Sequence, residues 1–273
     1  MPYRLEKPQS EEKKEADKKK RKSDIKNFYE IIDPTGKKKK KKLSDFHLDH
    51  DTVCTITAKT GSGKTNLVAN LVPYFGGFHE VFVFCGTPLH KEPIYQLMEQ
   101  KLGEFFHYHE LEAFEGKIKE IEEGKEYVDS KLLVIVDDFL CSNTPFMKLI
   151  SRFATKSRKA TNEGCCFIII SQSYFDIPKM LRDQIAYNFF MRGFDKKEIR
   201  AVCSRFSSAD LDIDDIYRLY QDATGGEDGG IEDFFMIDRR TPYDNLKFRN
   251  QILKPYIINE RAKKDFVRWK SYD

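Results

Sequence analysis

Apolar residues along this chain fall in short continuous blocks separated by stretches with helical spacing. The blocks are TVCTITA (52–58), EVFVFCG (80–86), KLLVIVDD (131–138), CCFIIISQ (165–172), AYNFFMRG (186–193) and EDFFMID (232–238). Each is rich in β-branched or aromatic residues and too short for an independent helix, so each predicts a strand buried on both faces. Between and after them lie KTNLVANLVPYF, PIYQLMEQKL, FEGKIKEIEEGKEYV, TPFMKLISRFATKSRKA and DIDDIYRLYQDA, which predict helices. Strands interleaved with helices give an α/β fold whose mainly parallel sheet is covered on both faces. The run GGEDGG (225–230) predicts a flexible turn before the last strand.

The two ends of the chain break this pattern. SEEKKEADKKKRKSD (10–24) and the six lysines at 37–42 have no apolar area to bury and predict a disordered basic N-terminal tail over residues 1–45. NFYEIID (27–33) is a small apolar island inside it. Residues 46–245 form the expected folded domain, and the basic and aromatic residues 246–273 predict an arm or a short helix.

Charge sharpens this division. Residues 1–42 hold 16 Lys/Arg against 8 Asp/Glu, a balance of +8, so the rest of the chain carries −5 of the overall +3. The basic tail suits a solubilising role, nuclear targeting or contact with a phosphate backbone, and its composition fits all three. No apolar run approaches the length needed to span a bilayer, so no membrane partner is expected. The six cysteines show no CxxC spacing and mostly fall in the apolar blocks, which predicts buried reduced thiols. His107 and His109 alternate in a polar-aromatic stretch without a ligand motif, which predicts a surface or strand-end position.

The candidate chemistry begins at the end of the first strand. Ala58, Lys59, Thr60, Gly61, Ser62, Gly63, Lys64, Thr65 and Asn66 run from a strand, through a glycine-bearing turn, into a helix. That order suits a phosphate-binding loop, in which backbone N–H groups and the helix N-terminus face β- and γ-phosphates. Lys64 would reach the same oxygens, and the Thr65 hydroxyl would ligate Mg²⁺. Ala58 stands where the pattern GxxxxGK[ST] has its first glycine, a replacement tolerable if the backbone there keeps a negative φ.

LLVIVDD then places two carboxylates at the C-terminal end of a buried strand, where open α/β sheets bind ligands. Asp137 would hold the Mg²⁺ shell and Asp138 would orient or deprotonate an attacking water. CCFIIISQ ends in Ser171 and Gln172, which places an amide at the same edge, as in hydrolytic phosphate-loop enzymes with an extra strand between their two nucleotide-binding strands. The chain has no NKxD motif, no LSGGQ-like segment and no small-molecule-kinase lid signature, which disfavours GTPase, ABC transporter and nucleoside kinase readings.

Together AKTGSGKTNL, LLVIVDDFL and SQSYFDIPKMLRDQIAYNFF (171–190) resemble the genome-packaging ATPases of large DNA viruses, the poxvirus-type branch of the FtsK–HerA class of P-loop ATPases. The resemblance covers residues 46–245; Ala58 departs from it, and so does Asp138, where many relatives have glutamate. It implies a three-layer α/β/α P-loop NTPase that uses ATP and Mg²⁺, forms a homo-oligomeric ring and drives double-stranded DNA into a capsid. Viral capsid proteins would be partners, and the virion or viral factory of an infected cell the location. In such a ring a neighbouring subunit would supply a further cation to the phosphates. Arg158, in the basic segment KSRKATNEG, is the favoured candidate and Arg182 the next; either arginine instead pairing with an acidic neighbour such as Asp183 is the alternative. Competing functions are a DNA pump of a plasmid or cellular relative, and a nucleotide-switched DNA or capsid adaptor without hydrolysis.

Overall fold

The computed structural model describes residues 48–124, 126–137, 144–206, 212–225, 230, 232–241, 247–257 and 267–268. The basic tail 1–45, Asp138 and most of the GGEDGG turn lie outside the described residues. The strands are β1 (Val53–Thr57), β2 (Glu80–Cys85), β3 (Phe106–Glu110), β4 (Leu132–Asp137), β5 (Cys165–Ser171), β6 (Tyr187–Met191), β7 (Phe234–Asp238), β8 (Phe248–Asn250), β9 (Lys254–Ile257) and β10 (Val267–Arg268). They form one sheet in the order β10-β9-β8-β7-β6-β1-β5-β4-β2-β3. The six strands from β6 to β3 pair in parallel, and β7 to β10 add an antiparallel wing beside β6.

The helices are α1 (Lys64–Leu71), α2 (Pro93–Leu102), α3 (Phe114–Glu123), α4 (Thr144–Lys156), α5 (Lys179–Arg182), α6 (Lys196–Cys203) and α7 (Ile213–Ala223). Strand periodicity divides them into two layers. On β4, Leu132, Val134 and Val136 face a core shared with α3, α4, α6 and α7, while Leu133 and Ile135 face a core shared with α1 and α2. These side chains are all inaccessible to solvent, and fully burying each contributes about 1.5–3 kcal/mol. The continuous apolar blocks are therefore explained: every position in a central strand meets one helix layer or the other.

Connectivity places a crevice beside β1. The chain leaves β1 through α1 toward β2 on one side, and later leaves β5 toward β6 on the other side of β1. Such a reversal opens a space at the carboxyl ends of the strands, the usual ligand position in open α/β sheets. Gly63, the residue before α1, has φ +85, a left-handed conformation that L side chains rarely adopt.

Several elements differ from the sequence expectation. FHYHE (106–110) is an edge strand, with His107 bonded to Glu80 at 2.7 Å and stacked on Phe82. Within the expected arm or short helix, residues 248–250, 254–257 and 267–268 extend the sheet as β8, β9 and β10. EDFFMID runs antiparallel to β6, within a sheet that is mainly parallel as expected. The helix over KTNLVANLVPYF stops at Leu71, where Pro73 lacks the N–H an α-helix needs, and continues as a 3₁₀ turn over Val72–Phe75. The described cysteines 54, 85, 165, 166 and 203 are all buried free thiols.

Candidate phosphate-binding site

The loop from Ala58 to Gly63 joins a fully buried strand to a helix that no side chain caps. Ala58 continues β1, its N–H donating to the Ser171 carbonyl at 3.1 Å, and its methyl is packed in the α1/α2 core. Among the described non-glycine residues only Gln251 has positive φ, so Ala58 meets the condition under which a methyl replaces the glycine of the pattern. The Ser62 N–H donates back to the Lys59 carbonyl at 3.3 Å, closing a turn, and Gly61 and Gly63 both take left-handed conformations there. Leu67 is the first helix N–H to find the Gly63 carbonyl, at 3.0 Å. Gly63, at the N-cap, offers no side chain to cap the helix, and the first turn holds no acidic residue. A helix end with outward N–H groups, a positive dipole end and Lys64 in its first turn suits an anion. Lys64 and Thr65 are half-buried there, whereas Asn66 is fully buried behind them.

The other lysine of the loop is differently placed. Lys59 pairs with Glu198 of α6, and its ammonium lies 5.0 Å from the Phe194 ring centre. Gly193 makes this approach possible: a Cβ there would lie 3.3 Å from Lys59 Cγ, and its φ is +103. Glu198 is itself fixed by a capping box with Asp195. Lys59 therefore ties the loop to α6, and Lys64 is the lysine left to the phosphate side.

Asp137 ends β4 and is buried, with Oδ2 accepting from the Tyr95 hydroxyl at 2.9 Å. The alternation along β4 turns Asp137 toward the α1/α2 face, the layer that also carries Lys64 and Thr65. Burial, first, and the nearby Asp137 charge push the Tyr95 hydroxyl well above the ordinary tyrosine range, so it stays a neutral donor. Tyr95 lies 42 residues from Asp137 in the chain and carries no motif, so sequence reasoning passed over it. Replacing Tyr95 with Phe is expected to raise the Mg²⁺ concentration for half-maximal turnover roughly tenfold, because a hydrogen bond to a charged group contributes about 1.5–3 kcal/mol. Titrating Mg²⁺ at saturating nucleotide measures this, and an unchanged midpoint would remove Tyr95 from the site.

β5 lies between β1 and β4, so an extra strand does separate the two strands that carry the loop and Asp137. Thr57 of β1 is in register with Ser171 of β5, and Cys85 of β2 with Asp137 of β4. The loop, Asp137 and the exposed Gln172 thus emerge at one edge of the sheet. Neighbouring strands lie about 4.8 Å apart, which separates β1 from β4 by about 10 Å.

Arg158 lies at the opposite edge, and Arg182 lies in the connection from β5 to β6. Arg158 is exposed in a 3₁₀ turn ahead of β5, and its guanidinium donates to the Gln184 carbonyl at 3.3 Å. Arg182 is buried, donates to the Tyr174 and Phe175 carbonyls at 3.4 and 3.2 Å, and lies over both rings. Burial, with Arg205 nearby, lowers its pKa from the usual arginine value. Its guanidinium is engaged within its own chain, which places it poorly for reaching a neighbour. Asp183 pairs with Arg205 at 3.6 Å, not with either candidate.

No protein-family model and no curated protein matches the chain. Solved structures with a similar fold include three of different description. The genome packaging NTPase B204 from Sulfolobus turreted icosahedral virus 2, in complex with sulfate, is similar over 71% of this chain and 94% of its own, at 14% identity and a TM-score of 0.47. EssC (ATPases 2 and 3) from Geobacillus thermodenitrificans is similar over 59% of this chain and 36% of its own, at 18% identity and a TM-score of 0.41. The pCW3 conjugation coupling protein TcpA, with ATPgS, is similar over 55% of this chain and 51% of its own, at 14% identity and a TM-score of 0.38. Among the described residues, no helix is long and apolar enough to cross a membrane.

Proposed function

We propose that this chain is an ATP-hydrolysing motor that translocates double-stranded DNA into a viral capsid. The observation that carries the ATPase part is the shared sheet edge: an uncapped glycine loop with Lys64 and Thr65 from β1–α1, a buried Asp137 from β4, and Gln172 from the intervening β5. The motor part rests on the motif resemblance in residues 171–190. A ring of identical subunits, capsid proteins as partners and a place in the virion or viral factory belong to the same reading.

These residues fit Mg²⁺-ATP. The first-turn N–H groups of α1 and the Lys64 ammonium would hold phosphate oxygens, and Thr65 and Asp137 would hold the metal shell. When bound, Mg²⁺ offsets the charge that develops on the phosphates. Asp137 arrives oriented, because Tyr95 fixes one carboxylate oxygen. Gln172, exposed just past β5, would sense the terminal phosphate. Asp138 would accept the proton of the attacking water.

The decisive measurement is ATP turnover by purified protein with and without double-stranded DNA. Turnover that DNA stimulates is expected. Turnover indifferent to DNA would favour an ATPase with another cargo, and nucleotide binding without turnover would favour the switched adaptor. Replacing Asp138 with Asn is expected to keep Mg²⁺-ATP bound while slowing hydrolysis roughly 10²-fold or more. An unchanged rate in that variant would move the base elsewhere; Glu163, two residues before β5, lies at the far edge with Arg158 and could serve only a neighbouring subunit's site.

A further inference from the structure

The outer face of α4 presents a line of unpaired cations on a body that is otherwise net acidic. Met147, Ile150, Phe153 and Ala154 turn inward and are buried. Lys148, Arg152 and Lys156 point outward and are exposed, spaced four residues apart and so about 6 Å along the helix. None of the three forms an ion pair among the described residues, and no Asp or Glu occurs anywhere between residues 144 and 162. Three like charges on one helical stripe repel one another in an isolated helix, although Lys156, in the last turn, is favoured by the helix dipole.

Two grooves flank the stripe. One, of about 670 Å³, lies between α4 and the Pro178–Met180 segment and is lined by Lys148, Arg152, Lys156 and Met180. The exposed Lys179 sits in that segment and adds a cation to its border. The second, of about 460 Å³, includes Glu112 from the turn before α3 and Glu115 from its first turn. A polyanion along the stripe is therefore repelled from the α3 side and drawn to the Pro178–Met180 side.

We infer that this face of α4 is a contact surface for the phosphate backbone of double-stranded DNA. The inference rests on the DNA-translocation reading above and gives it a place on the molecule. An anionic membrane is the weaker fit, because the apolar side of α4 is used in the core and Met180 is the exposed large apolar side chain lining the groove, too little for an inserting face. The helix follows β4, whose last described residue is Asp137, with six residues between them.

The test is equilibrium binding of the full chain to a double-stranded DNA of mixed sequence over a series of salt concentrations. The variant K148Q/R152Q/K156Q is compared with wild type and with K119Q/K197Q, which removes exposed cations from α3 and α6. Because each neutralised phosphate contributes a slope of about −0.9 in log K against log salt, the triple variant should lose about 2–3 from the magnitude of the slope. The control pair should keep it. Nucleotide affinity in the triple variant should match wild type, which checks that it is folded. If wild type binds DNA and the triple variant keeps the same slope, the α4 surface is wrong while the DNA reading stands. If wild type binds no DNA at any salt, both fail. A triple variant that keeps DNA binding but loses binding to poly-glutamate or to phosphatidylserine vesicles would reassign the face to an acidic protein or a membrane.

Discussion

Replacing Lys64 with Ala is expected to weaken nucleotide binding roughly 10²-fold or more, while replacing Lys59 with Ala leaves it nearly intact. The two lysines lie five residues apart in one loop, and composition alone cannot rank them. The structure can. Lys59 is paired with Glu198 and rests on Phe194, whereas Lys64 occupies the first turn of an uncapped helix. On the proposed reading, removing the Lys64 ammonium would delete a charge-assisted contact to the β/γ-phosphate oxygens and would leave only neutral N–H donors there. A hydrogen bond to a charged group contributes about 1.5–3 kcal/mol, and the lost Coulomb attraction adds to it, so affinity should fall roughly 10²-fold or more. Titration with a fluorescent ATP analogue measures both variants. Equal affinity in wild type and the Lys64 variant would sink the phosphate-loop assignment, and the reverse ranking would exchange the roles of the two lysines.

How much of this site was visible in the sequence depended on how local its parts are. The loop, the acidic strand and the sensor strand are each read within ten residues, and strand burial forces each into a recognisable apolar block. Their common edge followed from strand direction alone. Tyr95 and Glu198 were not legible, because each meets its partner across the fold: Tyr95 reaches Asp137 over 42 residues, and Glu198 reaches Lys59 over 139. Glu198 did leave a local trace. Asp195 and Glu198 have the spacing of a capping box, and Ile199, Val202 and Cys203 supply the apolar face of α6, so that helix was detectable and was missed. The edge strand β3 was missed for a different reason. Its one fully buried side is Phe106, and half-exposed His107, Tyr108 and His109 blur the apolar pattern that marks the central strands. Pro255 obscured β9, since proline is tolerated only at a sheet's edge or at interruptions of its ladder.

The largest effect expected on the chemical step, as opposed to binding, comes from Arg158. It precedes β5, while the phosphate loop lies beyond the other end of that strand's neighbour β1. Seven strand residues span about 23 Å, several times the reach of an arginine side chain, so Arg158 has no access to the loop of its own chain. A ring built head to tail sets one face of each subunit against a different face of the next, which is the arrangement that would carry this edge toward a neighbour's site. A guanidinium supplied in trans stabilises the charge of phosphoryl transfer and contributes about 10³–10⁵ in rate. The Arg158→Ala variant is therefore expected to assemble and bind ATP normally, with turnover reduced about 10³-fold. Its only described hydrogen bond is one exposed contact to Gln184, so little stability should be lost with it. Arg182→Ala serves as the contrast: it removes a buried guanidinium from Tyr174 and Phe175 and should lower thermal stability along with activity. Mixing separates a trans role from a structural one. Rings combining Arg158→Ala and Lys64→Ala subunits should recover part of the ATPase, because some interfaces then pair an intact loop with an intact arginine. Mixtures that stay inactive, formed from an Arg158 variant that assembles and binds ATP, would rule out Arg158 as the cation supplied by the neighbour.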